Sequence, residues 1–216
     1  MRSQSSRKTR WSTLGNLLLP IVIALTFLAF TFSYYPFREK IQFDSDEGLN
    51  LMRSMLVVLG HPLYREVSSD QPPLFTQLLG LVLRVAGFEV NPARFFVLLF
   101  SMLLVWSGAQ FLQLTRGKLA AILFLPLVII VPQFFRLSTS VMIGVPSIAL
   151  AAVAMVFVTL WHQKQRSLWL VLSGFALALS VLFIALGIVG NVPGGLLYVL
   201  GRERFAVAGA PPGPRP

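Results

Sequence analysis

Long apolar runs separated by short polar breaks set the pattern of this chain. The first run, residues 11 to 34, carries no charged side chain and is long enough to cross a bilayer as a helix. Residues 36 to 91 then interrupt the apolar pattern. Within them Leu49, Met52, Leu56 and Leu59 recur at helical spacing with Met55 alongside, while Glu47, Asn50, Arg53 and Ser54 fall elsewhere on the wheel. That periodicity predicts an amphipathic helix over 47–59 lying in the membrane interface. A second piece, Leu74 to Phe88, has only 15 residues, contains Arg84 and follows Pro72-Pro73. At about 1.5 Å rise per residue it is too short to span, which makes it a juxtamembrane or re-entrant helix. Further apolar runs predict spans at 93–114, 118–135, 141–161, 167–183 and 185–200. Gly187, Gly190, Asn191, Pro193, Gly194 and Gly195 interrupt the last, so one long tilted span from 167 is its rival. The tail 206–216 (AVAGAPPGPRP) is too rich in Ala, Gly and Pro to pack a core and is expected to be disordered.

Charge turns this pattern into a topology. Arg2, Arg7, Lys8 and Arg10 precede the first span and hold the N-terminus in the cytoplasm by the positive-inside rule. Bulky Phe30, Phe32, Tyr34, Tyr35 and Phe37 close that span, which fits an uncleaved anchor with an aromatic belt better than a cleaved signal peptide. If Leu74 to Phe88 does not cross, then Arg116 with Lys118, Lys164 with Arg166, and Arg202 with Arg204 all share the N-terminal side. If it did cross, the first two pairs would move outside. The expected fold is therefore all-α and polytopic: about six transmembrane helices over residues 1–205, with 36–91 an extracytoplasmic loop carrying the juxtamembrane helices.

Composition agrees, with 56% hydrophobic residues, 12% charged and mean hydropathy +0.75. The net charge of +10 does not imply nucleic acid, because the Lys and Arg residues are scattered in small clusters between apolar runs. With no cysteine and only His61 and His162, the chain has no disulfide, no thiolate site and no conventional His-rich zinc site.

Candidate chemistry is confined to one region. Seven of the eight acidic residues, Glu39, Asp44, Asp46, Glu47, Glu66, Asp70 and Glu89, lie between positions 39 and 89. Carboxylates are costly in a bilayer, so this confinement marks the loop as a working surface at one membrane face. In Asp44-Ser45-Asp46-Glu47, Asp44 or Ser45 can cap the following helix, and Asp46 and Glu47 can meet its positive dipole end. Capping and catalysis weigh about evenly from these residues alone. Downstream stand Leu63-Tyr64-Arg65-Glu66 and Asp70-Gln71-Pro72-Pro73, where the Pro pair fixes an extended entry into the next helix and Asp70 can act as its cap.

Taken in order, a basic N-terminus, one span, Asp46-Glu47 at a helix start, Gly60-His61-Pro62-Leu63-Tyr64-Arg65-Glu66, and Pro72-Pro73-Leu74 opening a short helix that ends at Gly87-Phe88 resemble the N-terminal part of the GT-C membrane glycosyltransferases. The resemblance is to their protein O-mannosyltransferase and aminoarabinose transferase group. It is best over residues 40–100 and continues more loosely through Ser138-Thr139-Ser140-Val141-Met142 and Leu172-Ser173-Gly174. It implies transfer of a sugar from a polyprenyl-phosphate carrier to an extracytoplasmic acceptor, in a bacterial inner or plasma membrane, with other membrane subunits as candidate partners. On the same footing Asp46 is the general base and Glu47 orients it or the acceptor. Asp70 holds substrate or a divalent metal, Asp44 assists in substrate binding, and Arg65 pairs with the carrier phosphate, its alternative being lipid headgroups.

The sequence departs from the family at two places. Relatives often carry an acid at the start of the fourth span, where Ile143-Gly144-Val145-Pro146 has none. They also often carry a Lys between the fifth and sixth spans, where this chain has Leu182-Phe183-Ile184. Family enzymes are longer, so the resemblance implies that the chain is an N-terminal portion, from a truncated or a short member. The competing expectation is a non-catalytic polytopic protein, a partner subunit or small transporter; the lack of acids within the spans after residue 93 speaks against a coupled transporter.

Overall fold

The longest apolar stretch of the C-terminal part forms α4 (Val90–Arg116), and nearly every other element leans on it. In the computed structural model, residues 3–34, 36, 38–39, 45–69 and 71–184 are described. The described residues form α1 (Ser3–Tyr34), α2 (Ser45–Val58), α3 (Pro73–Ala86), α4, α5 (Lys118–Ile129), α6 (Pro132–Thr139), α7 (Gly144–Lys164) and α8 (Ser167–Ile184), with no β-strand among them. The expected span 185–200, the rival continuation beyond 184 and the tail 206–216 lie outside the described residues.

Two apolar clusters meet on α4. On one side Ile23 and Phe27 of α1 pack with Leu98, Val105 and Ala109 of α4, Ala121 of α5 and Phe135 of α6. On the other, Phe75, Leu79 and Leu83 of α3 pack with Ala93 and Val97 of α4, Val145 of α7 and Phe183 of α8. α3 is the short helix expected over Leu74–Phe88; it begins on the Pro72-Pro73 step and has 14 residues.

By length and apolar composition, α4 and α7 can each cross a membrane. The run expected as a span over 118–135 is not straight. α5 stops at Ile129, α6 starts at Pro132, and their axes meet at 83°, so together they make a third candidate span only if the bent pair counts as one. Pro132 supplies no N–H and stands at the first turn of α6, where a proline is tolerated. The apolar parts of α1 (Leu18–Tyr34), α3 and α8 (Ser167–Phe183) are shorter than the two long spans. Leu119, Ile122, Leu123 and Leu127 of α5 face outward, a surface suited to lipid.

Small residues bring the helices into close contact. α7 and α8 are stitched by reciprocal bonds: Ser147 Oγ donates to Ser180 O (3.1 Å) and Ser180 Oγ to Ser147 O (2.9 Å). Farther along the pair, Ser173 Oγ donates to Ala154 O at 3.0 Å. Such bonds between helices in a membrane stabilise by about 0.6 kcal/mol each on average, so close packing matters more than their number. α4 ends at Gly117, whose φ of 95° is open to glycine and whose N–H reaches Leu112 O and Gln113 O. At Gly108 a Cβ would stand 2.5 Å from Phe124 Cζ, so a side chain there would force the Phe124 ring of α5 to move. Gly108→Val is expected to lower stability by about 1–3 kcal/mol through overpacking, and Phe124→Ala in the same chain to recover part of it. Thermal unfolding in detergent measures both; no loss in Gly108→Val would refute this packing.

Candidate functional site

The acidic stretch nucleates a helix, and α2 places its two acids in opposite environments. Asp46 and Glu47 both occupy the first turn, where carboxylates favourably meet the N-terminal dipole. Consecutive residues on a helix point about 100° apart. Asp46 is exposed and Glu47 is buried.

Glu47 is held from two sides. Arg94, in the second turn of α4, donates Nε to Glu47 Oε1 at 2.8 Å and Nη2 to Oε2 at 2.7 Å. The two side chains are 1% and 2% exposed, so the bidentate pair is sealed from solvent. The N–H of Val141, in the link between α6 and α7, donates to Oε1 at 3.3 Å. One helical turn beyond Glu47, Asn50 Nδ2 donates to Val141 O at 2.9 Å. Two side chains of α2 thus satisfy both backbone groups of a single residue in a buried link, which would otherwise carry unpaired polar atoms. The neighbouring Ser138, Thr139 and Ser140 are buried too, and Ser101 Oγ of α4 donates to Ser138 O at 2.8 Å.

α2 therefore inverts the usual arrangement. Its inward face is polar, made of Glu47, Asn50, Arg53 and Ser54, and its outward face presents Leu49, Met52 and Met55, with Leu59 exposed just past its end. A mainly apolar cleft of about 330 Å³ runs beside that outward face, lined by Gly48, Leu51, Met52, Met55, Leu83, Phe88 and Val90 together with the acid Glu89. Gly48 puts one end of it two residues from Asp46.

The remaining candidates lie in or beside the turn that follows α2. His61 Nδ1 lies 2.9 Å from Glu66 Oε2 across this turn, both groups exposed. Tyr64 takes a left-handed φ of 70° and its hydroxyl donates to Gln71 O at 2.7 Å, drawing the turn toward the Pro72-Pro73 step. Partial burial raises the Tyr64 pKa above its ordinary value, so the phenol stays protonated and keeps this donor role at neutral pH. Arg65 is exposed on the same turn and makes no ion pair with a described residue. Asp44 and Asp70 lie outside the described residues, and among the described residues no three acidic or His side chains gather as a metal site. The fold thus brings Asp46 and Glu47 to one helix start and leaves Arg65 on a separate turn.

Arg94, Asn50 and Val141 were not among the residues expected from sequence. Arg94 had a readable signal: it is a cation near the start of an apolar run, and such a charge needs a partner. With seven of the eight acids between positions 39 and 89, the loop was the first place to look for that partner. Asn50 and Val141 had no such signal.

Residues 70–208, well over half of the chain, match the family described as dolichyl-phosphate-mannose-protein mannosyltransferase. No curated protein and no solved structure matches the chain. Asp46 and Glu47 precede the matched segment, but Glu47 is bonded to Arg94 and Val141 within it.

Glu47→Gln or Arg94→Gln alone strands one buried charge and is expected to cost about 3–5 kcal/mol. The double variant removes both charges and should cost about 2–3 kcal/mol less than the sum of the singles. A thermal-unfolding cycle in detergent reads this directly; strict additivity would rule the coupling out.

Proposed function

Because the chain belongs to the dolichyl-phosphate-mannose-protein mannosyltransferase family, we propose that it is an integral membrane glycosyltransferase that moves a sugar from a polyprenyl-phosphate carrier to an extracytoplasmic acceptor. The observation that supports this best is the division of labour at the start of α2. Glu47 is spent on the Arg94 pair, which fixes the helix against the matched segment, while the adjacent Asp46 is left exposed on the same rigid turn. A general base must reach the proton it removes, and it gains from being mounted on a fixed element.

In this reading Asp46 takes the proton of the acceptor nucleophile as that atom bonds to the sugar's anomeric carbon, and the bond from the sugar to the carrier phosphate breaks with its electrons leaving on the phosphate. Glu47 acts as a positioning residue through Arg94 and the Val141 backbone rather than by touching the acceptor. The apolar cleft beside Gly48, Met52 and Met55 suits a hydrocarbon portion of a substrate. Arg65, Asp70 and Asp44 remain proposed substrate contacts, Arg65 for phosphate. Asp70 is also the residue proposed to hold a divalent metal if the reaction uses one. Six crossings with the N-terminus in the cytoplasm put the α2 turn on the extracytoplasmic face, where the scattered Arg and Lys pairs favour it. A bacterial inner or plasma membrane is the proposed setting.

Asp46→Asn keeps shape and helix-start polarity but removes the base. It is expected to lower sugar transfer from a polyprenyl-phosphate donor by about 10²–10⁴-fold, with the chain still folded. Transfer by Asp46→Asn at the parent rate would reject the assignment, and would favour a non-catalytic partner subunit if the parent chain is also inactive.

A further inference from the structure

At the end of the bundle remote from Arg94, two turns converge. Arg116 closes α4 and Lys118 opens α5; Lys164 closes α7 and Arg166 precedes α8. Gln163 Nε2 donates to Leu114 O at 3.1 Å, which fixes the end of α7 against the end of α4 and so holds both basic turns together. All four cations are exposed, and none makes an ion pair with a described residue. The sequence from 90 to 184 contains no acid at all, so no carboxylate of α4 to α8 offsets them.

We propose that these two turns form a docking surface for the anionic headgroups of the phospholipid bilayer. Charge alone would equally suit a soluble polyanion, but the flanking residues favour lipid. Leu119 beside Lys118 is 71% exposed, and Leu168 two residues after Arg166 is 61% exposed. A phosphodiester held by the turns would thus have its acyl chains running down helix faces that are already apolar. α4 and α7, whose ends carry the patch, are the two helices long and apolar enough to span, which sets the cations at headgroup depth. Lys164 Nζ lies 5.1 Å from the centre of the Trp169 ring, an aromatic suited to the same depth. The surface is distinct from the α2 turn and does not depend on sugar transfer.

Native mass spectrometry of the full chain in detergent, with phosphatidylglycerol and phosphatidylcholine offered together, tests it. Phosphatidylglycerol should be retained in clear preference, and R116Q/K118Q/K164Q/R166Q should reduce its retention by about tenfold or more while the unfolding temperature holds. R38Q/R84Q, which removes two cations near the opposite end, should leave the preference intact. Excess inorganic phosphate should not displace the bound lipid. Equal retention of the two lipids, equal loss in R38Q/R84Q, or displacement by free phosphate would each overturn the proposal.

Discussion

The buried ion pair between Glu47 and Arg94 is the constraint on which the arrangement of this protein turns. Two charges at 1–2% exposure are tolerated only with close geometry and further hydrogen bonds, and the bidentate contact plus the Val141 N–H supply both. Three otherwise separate parts of the chain are tied at this point: the acidic helix α2, the start of α4, and the link from α6 to α7. The 83° bend between α5 and α6 precedes the segment in which Ser138 O accepts from Ser101 of α4 and Val141 bonds to Glu47 and Asn50 of α2.

From that tie follows the inverted face of α2. A helix whose inward side is committed to Glu47, Asn50, Arg53 and Ser54 must turn Leu49, Met52 and Met55 outward. In water that would be an aggregation hazard; against acyl chains or an apolar substrate it is a working surface. The same geometry separates two neighbouring carboxylates by environment, one buried in the Arg94 pair and the other exposed at the surface. Neighbouring acids given different surroundings can take different roles, which is why the proposed base is Asp46 rather than Glu47.

Much of this was legible in the residues. The apolar runs locate α1, α4, α7 and α8, and the short Arg84 helix after Pro72-Pro73 appears as α3, too brief to span. The periodicity over 47–59 also predicts α2, yet it could not tell which face is buried, since apolar-in is a rule for water and not for a membrane border. The bend at Ile130 to Pro132 was hidden by hydropathy, because a continuous apolar run looks alike whether it crosses straight or turns. Arg94 could have been paired with the acidic loop by charge accounting, although choosing Glu47 among seven acids required the fold. The bonds of Asn50 and Ser101 to backbone carbonyls leave no mark in a single sequence.

The anchoring of α2 by the ion pair is tested most directly by hydrogen–deuterium exchange on the intact chain and on Arg94→Gln. If the pair holds α2 to the bundle, the amides of Ser45–Val58 and of Val141 lose protection together in the variant, while the α7–α8 pair joined through Ser147 and Ser180 keeps its own. Unchanged protection across α2 in Arg94→Gln would contradict the anchoring and with it the fixed placement of Asp46.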